Sequence, residues 1–532
     1  MTRCGLASWV LAMLAVAVCW TTAAGAATCE SLKGLRLPHT AITLAQPVTA
    51  GTLEAGKQEI KNLPAFCRVA GSIKPTTDSD IQFEVWMPAS GWNGKFQGVG
   101  NGGFAGSIDY RALAAAVRQG FAAASTDTGH EAGGVDARWA LGHPEKITDF
   151  GYRGIHQMTV KGKAIVSAFY GAPARLSYFA SCSNGGRQAL MEAQRFPADY
   201  NGIIAGAPAN FWTHLLAGGI WDAQATLSNP ASYIPAAKLR AISSAVLAAC
   251  DAKDGVADGI INDPSQCRFN PETLLCSSSD SDNCLTAPQA AALKKIYSGP
   301  RTTSEKQIFP GYSPGGELGP NGWADWITGT APKESLGFRF GTQFFSNMVF
   351  DNPRWDFRTF NFNTDVTTAD RKLARILNAT DPDLQPFASR GGKLILFHGW
   401  SDAAIPPRNT VNYYNSVVAA MGLSRAQSFV RLFMVPGMKH CGLGPGPADF
   451  GAYEGQLHSN AEDNMFEALE RWVEKGVAPE EIIATKYTKP EDPASGVVMR
   501  RPLCAYPDIA QYKGSGNTND AANFACAKEP RR

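Results

Sequence analysis

Short apolar runs, each followed by a glycine-rich turn or a helical pattern, recur through the first two hundred residues of the chain. The runs that we predict as strands are 83–87, 94–100, 120–125 and 176–180. A helical pattern runs from about residue 157 to 170, just before the last of these strands. Alternation of buried strands and helices is typical of βα units. We therefore expect an α/β fold.

The last of these strands leads into a turn of unusual composition. Residues 181–186 read Ser-Cys-Ser-Asn-Gly-Gly, and a helical pattern follows. A hydroxyl at a sharp turn between strand and helix is exposed to substrate, and Gly185 and Gly186 keep side chains away from it. Ser181 replaces the first glycine of the usual G-x-S-x-G motif. Taken alone, Ser183 is therefore either a nucleophile or an ordinary turn residue.

Two later apolar runs add partners for this serine. The run 393–399 is followed by Asp402, and the run 429–435 leads through Pro-Gly to His440. The chain order serine, aspartate, histidine is the order of α/β-hydrolases. We predict that Ser183 is the nucleophile, that His440 moves its proton, and that Asp402 orients the histidine.

Other acids and histidines compete for these roles. Asp127 precedes Ser183 in the chain and is better interpreted as a turn residue. His398 lies inside an apolar run and is interpreted as a hydrogen-bonded core residue, whereas His130 and His214 are weaker candidates for lining a site.

An acyl-transfer site also needs hydrogen-bond donors for the oxyanion. We predict the backbone N–H of Asn184 as one donor, because this residue follows the nucleophile. The second donor is predicted in the loop Gly-Asn-Gly-Gly-Phe at 100–104, where we favour Gly103 over Gly102. An ordinary glycine turn is the competing interpretation of this loop.

Composition and charge narrow the class of protein. The chain has 532 residues, of which 44% are hydrophobic and 18% are charged, so it can bury a substantial core. Its formal net charge of +2 gives no electrostatic basis for binding nucleic acid or an anionic membrane. We expect a small-molecule substrate, and the sequence does not determine the oligomeric state.

The distance between the predicted catalytic residues indicates an inserted domain. Ser183 and Asp402 are 219 residues apart, far more than a few βα units of about 30 residues require. We predict a lid domain at 209–384 that covers the site, with 27–208 and 385–532 forming the catalytic domain.

The first 26 residues have the features of a signal peptide. Arg3 is followed by an apolar stretch and by Ala-Gly-Ala at 24–26, which resembles a cleavage site. The apolar stretch is shorter than the roughly 20 residues that span a bilayer, so we expect a secreted protein without a stable membrane anchor.

Secretion permits disulfides, and the cysteine count agrees with them. Of the 12 cysteines, Cys4 and Cys19 fall in the signal peptide, which leaves an even number. Spacing suggests the pairs Cys29–Cys67, Cys250–Cys267, Cys276–Cys284 and Cys504–Cys526, and leaves Cys182 with Cys441. Spacing alone does not prove this connectivity. If Cys182 pairs with Cys441, the bridge either clamps Ser183 beside His440 or only staples the fold.

One acidic loop in the predicted lid is a candidate metal site. Asp251, Asp254 and Asp258 occur in a segment where Gly255 and Gly259 permit tight turns, and the carbonyls of Val256 and Ile260 are further oxygen ligands. A hard cation such as calcium prefers this ligand set, although the spacing is not that of an EF-hand. A surface Asp-Gly turn without an ion is the competing interpretation.

Taken together, these motifs resemble one family. Cys-Ser-Asn-Gly-Gly at 182–186, Ser-Asp-Ala-Ala at 401–404, Val-Pro-Gly-Met-Lys-His-Cys at 435–441 and Arg-Pro-Leu-Cys at 501–504 are similar to the tannase and feruloyl esterase family. The resemblance covers nearly the whole mature chain. It implies an α/β-hydrolase core, a large lid, five disulfides, a structural calcium ion at the five lid positions named above, and hydrolysis of esters of aromatic acids.

The resemblance also suggests how the substrate is held. It places Trp326 against the aromatic ring of the substrate. Ile405 and Asn184 stand where the family's mono(2-hydroxyethyl) terephthalate hydrolase has a phenylalanine and a glutamate, and Arg339 is only a weak match for its carboxylate-binding arginine. These differences favour feruloyl, hydroxycinnamoyl or galloyl-type esters over the terephthalate monoester, which stays an alternative. A non-catalytic secreted binding protein on the same fold is an alternative of another class.

Overall fold

The structure is a computed structural model that describes residues 26–452, 462–490 and 492–528. The predicted signal peptide lies outside these residues except for Ala26. The predicted first residue of the mature chain, Ala27, donates its backbone N–H to the carbonyl of Ala168 at 3.1 Å. The chain is therefore hydrogen-bonded to the fold at the residue where we predict that the mature protein begins.

A nine-stranded mixed sheet forms the centre of the molecule. Its strands in chain order are β1 (Thr40–Val48), β4 (Phe66–Ile73), β5 (Ile81–Pro88), β6 (Lys95–Val99), β7 (Ala122–Thr126), β8 (Leu176–Cys182), β9 (Gly202–Gly206), β10 (Lys393–Gly399) and β11 (Val430–Val435). Their order across the sheet is β1-β4-β5-β7-β6-β8-β9-β10-β11. The strands from β7 to β11 pair in parallel, whereas β1, β4, β5 and β7 pair antiparallel.

Three small two-stranded sheets flank this centre. They pair β2 (Gly51–Ala55) with β3 (Gln58–Leu63), β12 (Glu481–Tyr487) with β13 (Val497–Cys504), and β14 (Asp508–Tyr512) with β15 (Phe524–Lys528).

Fourteen α-helices are present among the described residues. They are α1 (Tyr110–Arg118), α2 (Pro144–Thr148), α3 (Gly154–Tyr170), α4 (Asn184–Arg195), α5 (Trp212–Leu227), α6 (Leu239–Cys250), α7 (Ala287–Ser298), α8 (Trp323–Trp326), α9 (Leu336–Phe344), α10 (Asp365–Leu377), α11 (Gln385–Ser389), α12 (Arg408–Met421), α13 (Leu423–Gln427) and α14 (Met465–Lys475). Within the described chain, no helix is both long and apolar enough to cross a membrane.

Helices cover both faces of the central sheet. Alternate residues of β8 point to opposite faces, so Phe179 packs with Met158 of α3 and Leu190 of α4. Its neighbour Tyr178 packs on the other side with residues of α1 and with Leu469 of α14. This three-layer arrangement is the α/β fold that the sequence predicts. The strands predicted at 83–87, 94–100, 120–125, 176–180, 393–399 and 429–435 are all present.

The segment between β9 and β10 adds a helical layer over one end of the sheet. Residues 207–392, all described, contain helices and no strand of the central sheet. Its helices α5, α9 and α10 enclose an apolar cluster that includes Leu216, Phe344 and Leu373. The predicted lid, 209–384, falls within this segment.

All five predicted disulfides are confirmed. They join Cys29–Cys67, Cys182–Cys441, Cys250–Cys267, Cys276–Cys284 and Cys504–Cys526. Every cysteine of the described chain is therefore bonded.

Candidate active site

Ser183 occupies a strained turn at the carboxyl end of β8. It has φ +66° and ψ −125°, a backbone conformation that is rare for residues with a side chain. The turn needs the two glycines that follow. A Cβ on Gly185 would lie 1.9 Å from Oγ of Ser181, and one on Gly186 would lie 2.3 Å from the carbonyl of Gly206. The sequence thus permits a tight strand-to-helix turn that presents the Ser183 hydroxyl.

Asp402 and His440 form a hydrogen-bonded pair beyond the ends of β10 and β11. His440 Nδ1 lies 2.8 Å from Asp402 Oδ2. The other carboxylate oxygen accepts the backbone N–H groups of Ala404 at 2.7 Å and Ile405 at 2.9 Å. Burial by itself would raise the pKa of Asp402, but the neighbouring histidines hold it well below its ordinary value. Asp402 is therefore an ionised acceptor that fixes the ring of His440.

A disulfide joins the turn that carries Ser183 to the loop that carries His440. Cys182 precedes the serine, Cys441 follows the histidine, and their Cα atoms are 6.0 Å apart. Since β8 and β11 are separated in the sheet by β9 and β10, this bond connects two loops that follow strands that are not neighbours.

The predicted oxyanion donors lie at the same place. Gly103 and Asn184 line a cavity together with Ser183 and His440. Gly103 has φ +56°, and a Cβ there would lie 2.2 Å from the carbonyl of Gly134. Gly102 has open space in the direction of a Cβ. The loop therefore requires a glycine at 103, the position that we favour from the sequence.

The cavity beside Ser183 is narrow and mostly apolar, with a volume of about 80 Å³. Its lid-side walls come from α5, α8 and α9, and its main apolar residues are Trp212, Leu215, Leu216, Trp326, Phe340 and Ile405. The ring of Trp326 meets the ring of His440 edge to face, with centroids 5.3 Å apart. Asn321 accepts the indole N–H of Trp326 and donates to the carbonyl of His440. The predicted positions Trp326 and Ile405 thus both face the site.

Arg339 does not line this cavity, so the structure does not bring this weakly matched arginine together with the other predicted site residues. Its side chain is exposed and does not line the cavity. Gly337 and Phe340, three residues apart on α9, face the cavity, and Arg339 projects from another side of the same helix.

His398 is a residue whose role the sequence did not reveal. It is fully buried, as predicted for a core histidine, but its Nε2 lies 3.0 Å from Asp402 Oδ2. The same nitrogen is 3.1 Å from the carbonyl of Ile405, and Nδ1 is 2.7 Å from Oγ1 of Thr410. The available signal was its position four residues before Asp402.

Asp127 is a turn residue, as the sequence predicts. Its Oδ1 accepts the backbone N–H groups of Gln82 and Gly129. The two weaker histidine candidates do not line the cavity. His130 stacks on Trp139, and His214 bonds to Asp370.

Arg187 lies in α4 and bonds to the side chain of Asn184 at the start of the same helix. The sequence did not reveal this role. Arg187 is fully buried, and its guanidinium donates to Asn184 Oδ1 at 2.8 Å and to the carbonyls of Phe150 and Gly151. It also lies over the rings of Phe150 and Trp212. The side chain of Asn184, which also donates to the carbonyl of Asn101, is therefore held in place by the protein.

The predicted calcium loop follows α6. Asp251 and Asp258 accept backbone N–H groups within the loop, and Arg501 donates to Asp258 Oδ2 at 2.6 Å. The carbonyls of Val256 and Ile260 accept no hydrogen bond from any residue in the described chain. Groups of three close metal-ligating side chains occur elsewhere among the described residues, at His156, Glu192 and Asp199 and at Cys276, Asp280 and Cys284. The cysteines of the second group are bonded to each other.

The fold and this constellation define a carboxylesterase of the α/β-hydrolase type. Comparison with known proteins gives the family. The family model described as tannase and feruloyl esterase matches residues 67–527, and the chain belongs to this family.

Known relatives support the same assignment. An uncharacterised esterase of Xanthomonas campestris is 45% identical over 99% of this chain and 96% of its own length. A probable feruloyl esterase B-2 of Aspergillus flavus is 36% identical over 89% of this chain and 87% of its own length.

Solved structures agree with the fold. The crystal structure of feruloyl esterase B from Aspergillus oryzae has a TM-score of 0.87 and 31% identity, covering 94% of this chain and 99% of the other. The tannin acyl hydrolase of Aspergillus niger, at 23% identity and a TM-score of 0.72 over 93% of this chain and 92% of the other, shares the fold.

Proposed function

We propose that this protein is a secreted serine esterase that hydrolyses esters of aromatic acids of the feruloyl, hydroxycinnamoyl or galloyl type. The observation that carries the proposal is the ionised Asp402 bonded to His440 beside a cavity that also contains Ser183. The names of the feruloyl esterase relatives support the substrate class.

The proposed reaction proceeds through an acyl-enzyme. The Oγ of Ser183 attacks the ester carbonyl while His440 takes its proton. The N–H groups of Gly103 and Asn184 stabilise the oxyanion. His440 then protonates the leaving alcohol. In the second half of the reaction, a water molecule attacks the acyl-enzyme while His440 takes its proton. His440 then returns a proton to Ser183 as the aromatic acid leaves.

The walls of the cavity support an aromatic acid without a second carboxylate. Trp326, Phe340 and Ile405 offer flat or branched apolar contacts. Among the described residues, no lysine or arginine lines the cavity. A terephthalate monoester would bring a carboxylate with no cation to receive it, so we rank this substrate second.

Hydrolysis of three esters by the mature protein tests the proposal. We expect wild type to hydrolyse methyl ferulate or methyl gallate faster than the terephthalate monoester, and Ser183→Ala to lose at least about a thousandfold in kcat. No turnover of any ester by wild type would exclude the enzyme and favour the binding-protein alternative. Activity that survives Ser183→Ala would exclude the nucleophile.

We also propose that the loop 251–260 binds a structural calcium ion. The loop offers three carboxylates, and two carbonyls that accept no hydrogen bond from the described residues, and such oxygen atoms are the ligands that calcium prefers. Asp251, Asp254 and Asp258 together with the carbonyls of Val256 and Ile260 would hold the ion. Chelation should lower the Tm of wild type by several degrees and leave Asp254→Ala unchanged. A wild-type Tm that does not respond to chelator or added calcium would contradict the site.

Secretion is part of the proposal. Five disulfides form and persist in an oxidising compartment. Expression with the native first 26 residues should deliver to the secreted fraction a protein that begins at Ala27, which N-terminal sequencing would test.

A further inference from the structure

A second and much larger cleft lies where the lid meets the core. Its volume is about 750 Å³, within the range of ligand sites. The charged side chains that line it are Arg268 and Arg301 from the lid and Arg408 from the start of α12. Among the described residues, no aspartate or glutamate lines it. We call this feature the arginine cleft.

The three arginines are not used by the fold as ion-pair partners. None of them forms an ion pair with any residue in the part of the chain that the structure describes. Arg268 donates to the carbonyl of Ser265 at 3.3 Å, and Arg301 donates to that of Glu305 at 3.1 Å. A guanidinium has five N–H donors, so most of these donors are available to a ligand. A planar carboxylate can accept two parallel N–H groups from one guanidinium, as a phosphate can.

The other walls of the cleft suit a sugar chain. Arg408, Asn412 and Ser416 follow one another at intervals of four along α12, which places a cation, an amide and a hydroxyl in one row. Phe269 and Tyr297 supply ring surface. A mixture of ring surface, amides, hydroxyls and unpaired cations fits a polyhydroxylated ligand that carries carboxylates.

The cleft adjoins the active site. Tyr312 lines the arginine cleft and also lines the cavity that contains Ser183 and His440. The two cavities therefore share one wall residue, and a ligand bound in the cleft lies next to the ester site.

We propose that the arginine cleft binds a carboxylated oligosaccharide, that is, a chain containing uronic acid residues. Its role in delivering an ester to Ser183 rests on the proposed function, but binding in the cleft does not.

Calorimetric titration of the mature protein with a uronic acid trimer tests the site without any turnover. The neutral trimer of the same length is the comparison ligand. We expect the acidic trimer to bind more tightly than the neutral one at low salt, and salt at 0.5 M to remove most of this difference. The double variant Arg268→Gln with Arg408→Gln should weaken binding of the acidic trimer by about three- to tenfold. Arg371→Gln with Arg390→Gln, two exposed arginines outside the cleft, should bind like wild type.

Two binding outcomes would overturn the proposal. Equal binding of the two trimers, or a preference that the cleft variant does not change, would show that the arginines do not recognise carboxylates. Absence of trimer binding together with variant-sensitive binding to anionic lipid vesicles would assign the cleft to a membrane surface. Failure of wild type to hydrolyse methyl ferulate would remove the proposed function and leave the binding result as it stands.

Discussion

At the scale of single residues, His398 is a positioning residue for the acid of the site. Asp402 is ionised and the carbonyl of Ile405 is an acceptor, so His398 Nε2 carries the hydrogen that lies between them. Nδ1 of the same ring lies 2.7 Å from Oγ1 of Thr410, so both ring nitrogens are hydrogen-bonded. His398 therefore stabilises the charge of Asp402 without contacting substrate.

We predict that His398→Leu lowers kcat for methyl ferulate by about ten- to a hundredfold and leaves KM within a factor of about two. His398→Gln should recover part of the loss, because its amide can donate in place of Nε2. His214→Leu is the matched control, since His214 also bonds to a carboxylate and a carbonyl but lies outside the cavity. If both leucine variants lose the same activity and Tm, the role of His398 is only structural.

Ionisation of the Asp127 carboxyl makes the free energy of unfolding depend on pH. Burial raises the pKa of this carboxyl to about 8 from its ordinary value of 3.8, although two backbone N–H groups donate to it. Between these two pH values the folded protein holds a proton that the unfolded chain releases. The free energy of unfolding therefore falls as the pH rises through this window.

We predict that Asp127→Asn makes the Tm less dependent on pH between about 4 and 8 and stabilises the fold at pH 8 by about 1–3 kcal/mol. The asparagine keeps the Oδ1 acceptor and cannot ionise. Melting curves at pH 5 and pH 8 would measure the effect, with Asp282→Asn on an exposed loop as the control. A variant that loses stability in parallel with wild type would contradict the raised pKa.

At the scale of elements, the loop after β6 carries Gly103, whose N–H is the second predicted oxyanion donor. Gly103 adopts a positive φ against the carbonyl of Gly134, whereas Gly102 has free space. We predict that Gly103→Ala lowers kcat by about a hundredfold or more, because the loop must shift and carry its N–H away. Gly102→Ala should stay within a few-fold of wild type in assays with methyl ferulate. Equal losses in the two variants would show that the loop is merely fragile.

The elements that sequence reasoning recovered are those with a strong local signal. The parallel strands β8, β10 and β11 are buried on both faces and read as continuous apolar runs. The edge strand β1 alternates between exposed and half-buried positions and contains a proline, so it carries no such signal. Its pairing with β4 was not predicted.

The same distinction applies to the site. Ser183, Asp402 and His440 could be found because each follows a buried strand or its turn in a known order. Arg187 could not be found, since its burial depends on Trp212, a lid residue that reaches it only in the folded chain. The arginine cleft likewise joins residues of the lid to α12, and no local pattern connects them.

At the scale of the whole molecule, the disulfide Cys182–Cys441 joins parts of the chain on either side of the helical segment 207–392. It spans 259 residues of sequence, whereas Cys276–Cys284 spans 8. The chain-entropy model gives roughly 5 kcal/mol of stabilisation for the long loop and about 2–3 kcal/mol for the short one. We therefore expect the long bridge to stabilise the fold more than the short one does.

We predict that Cys182→Ala with Cys441→Ala lowers kcat for methyl ferulate by about tenfold or more at a temperature where the far-ultraviolet circular dichroism is unchanged. Cys276→Ala with Cys284→Ala, which removes a surface bridge of the lid, should lower the Tm less and leave kcat near that of wild type. The comparison separates a clamp from a staple, because a staple would change Tm in both variants and kcat in neither. Full activity in the first variant would mean that the sheet alone aligns the serine with the histidine.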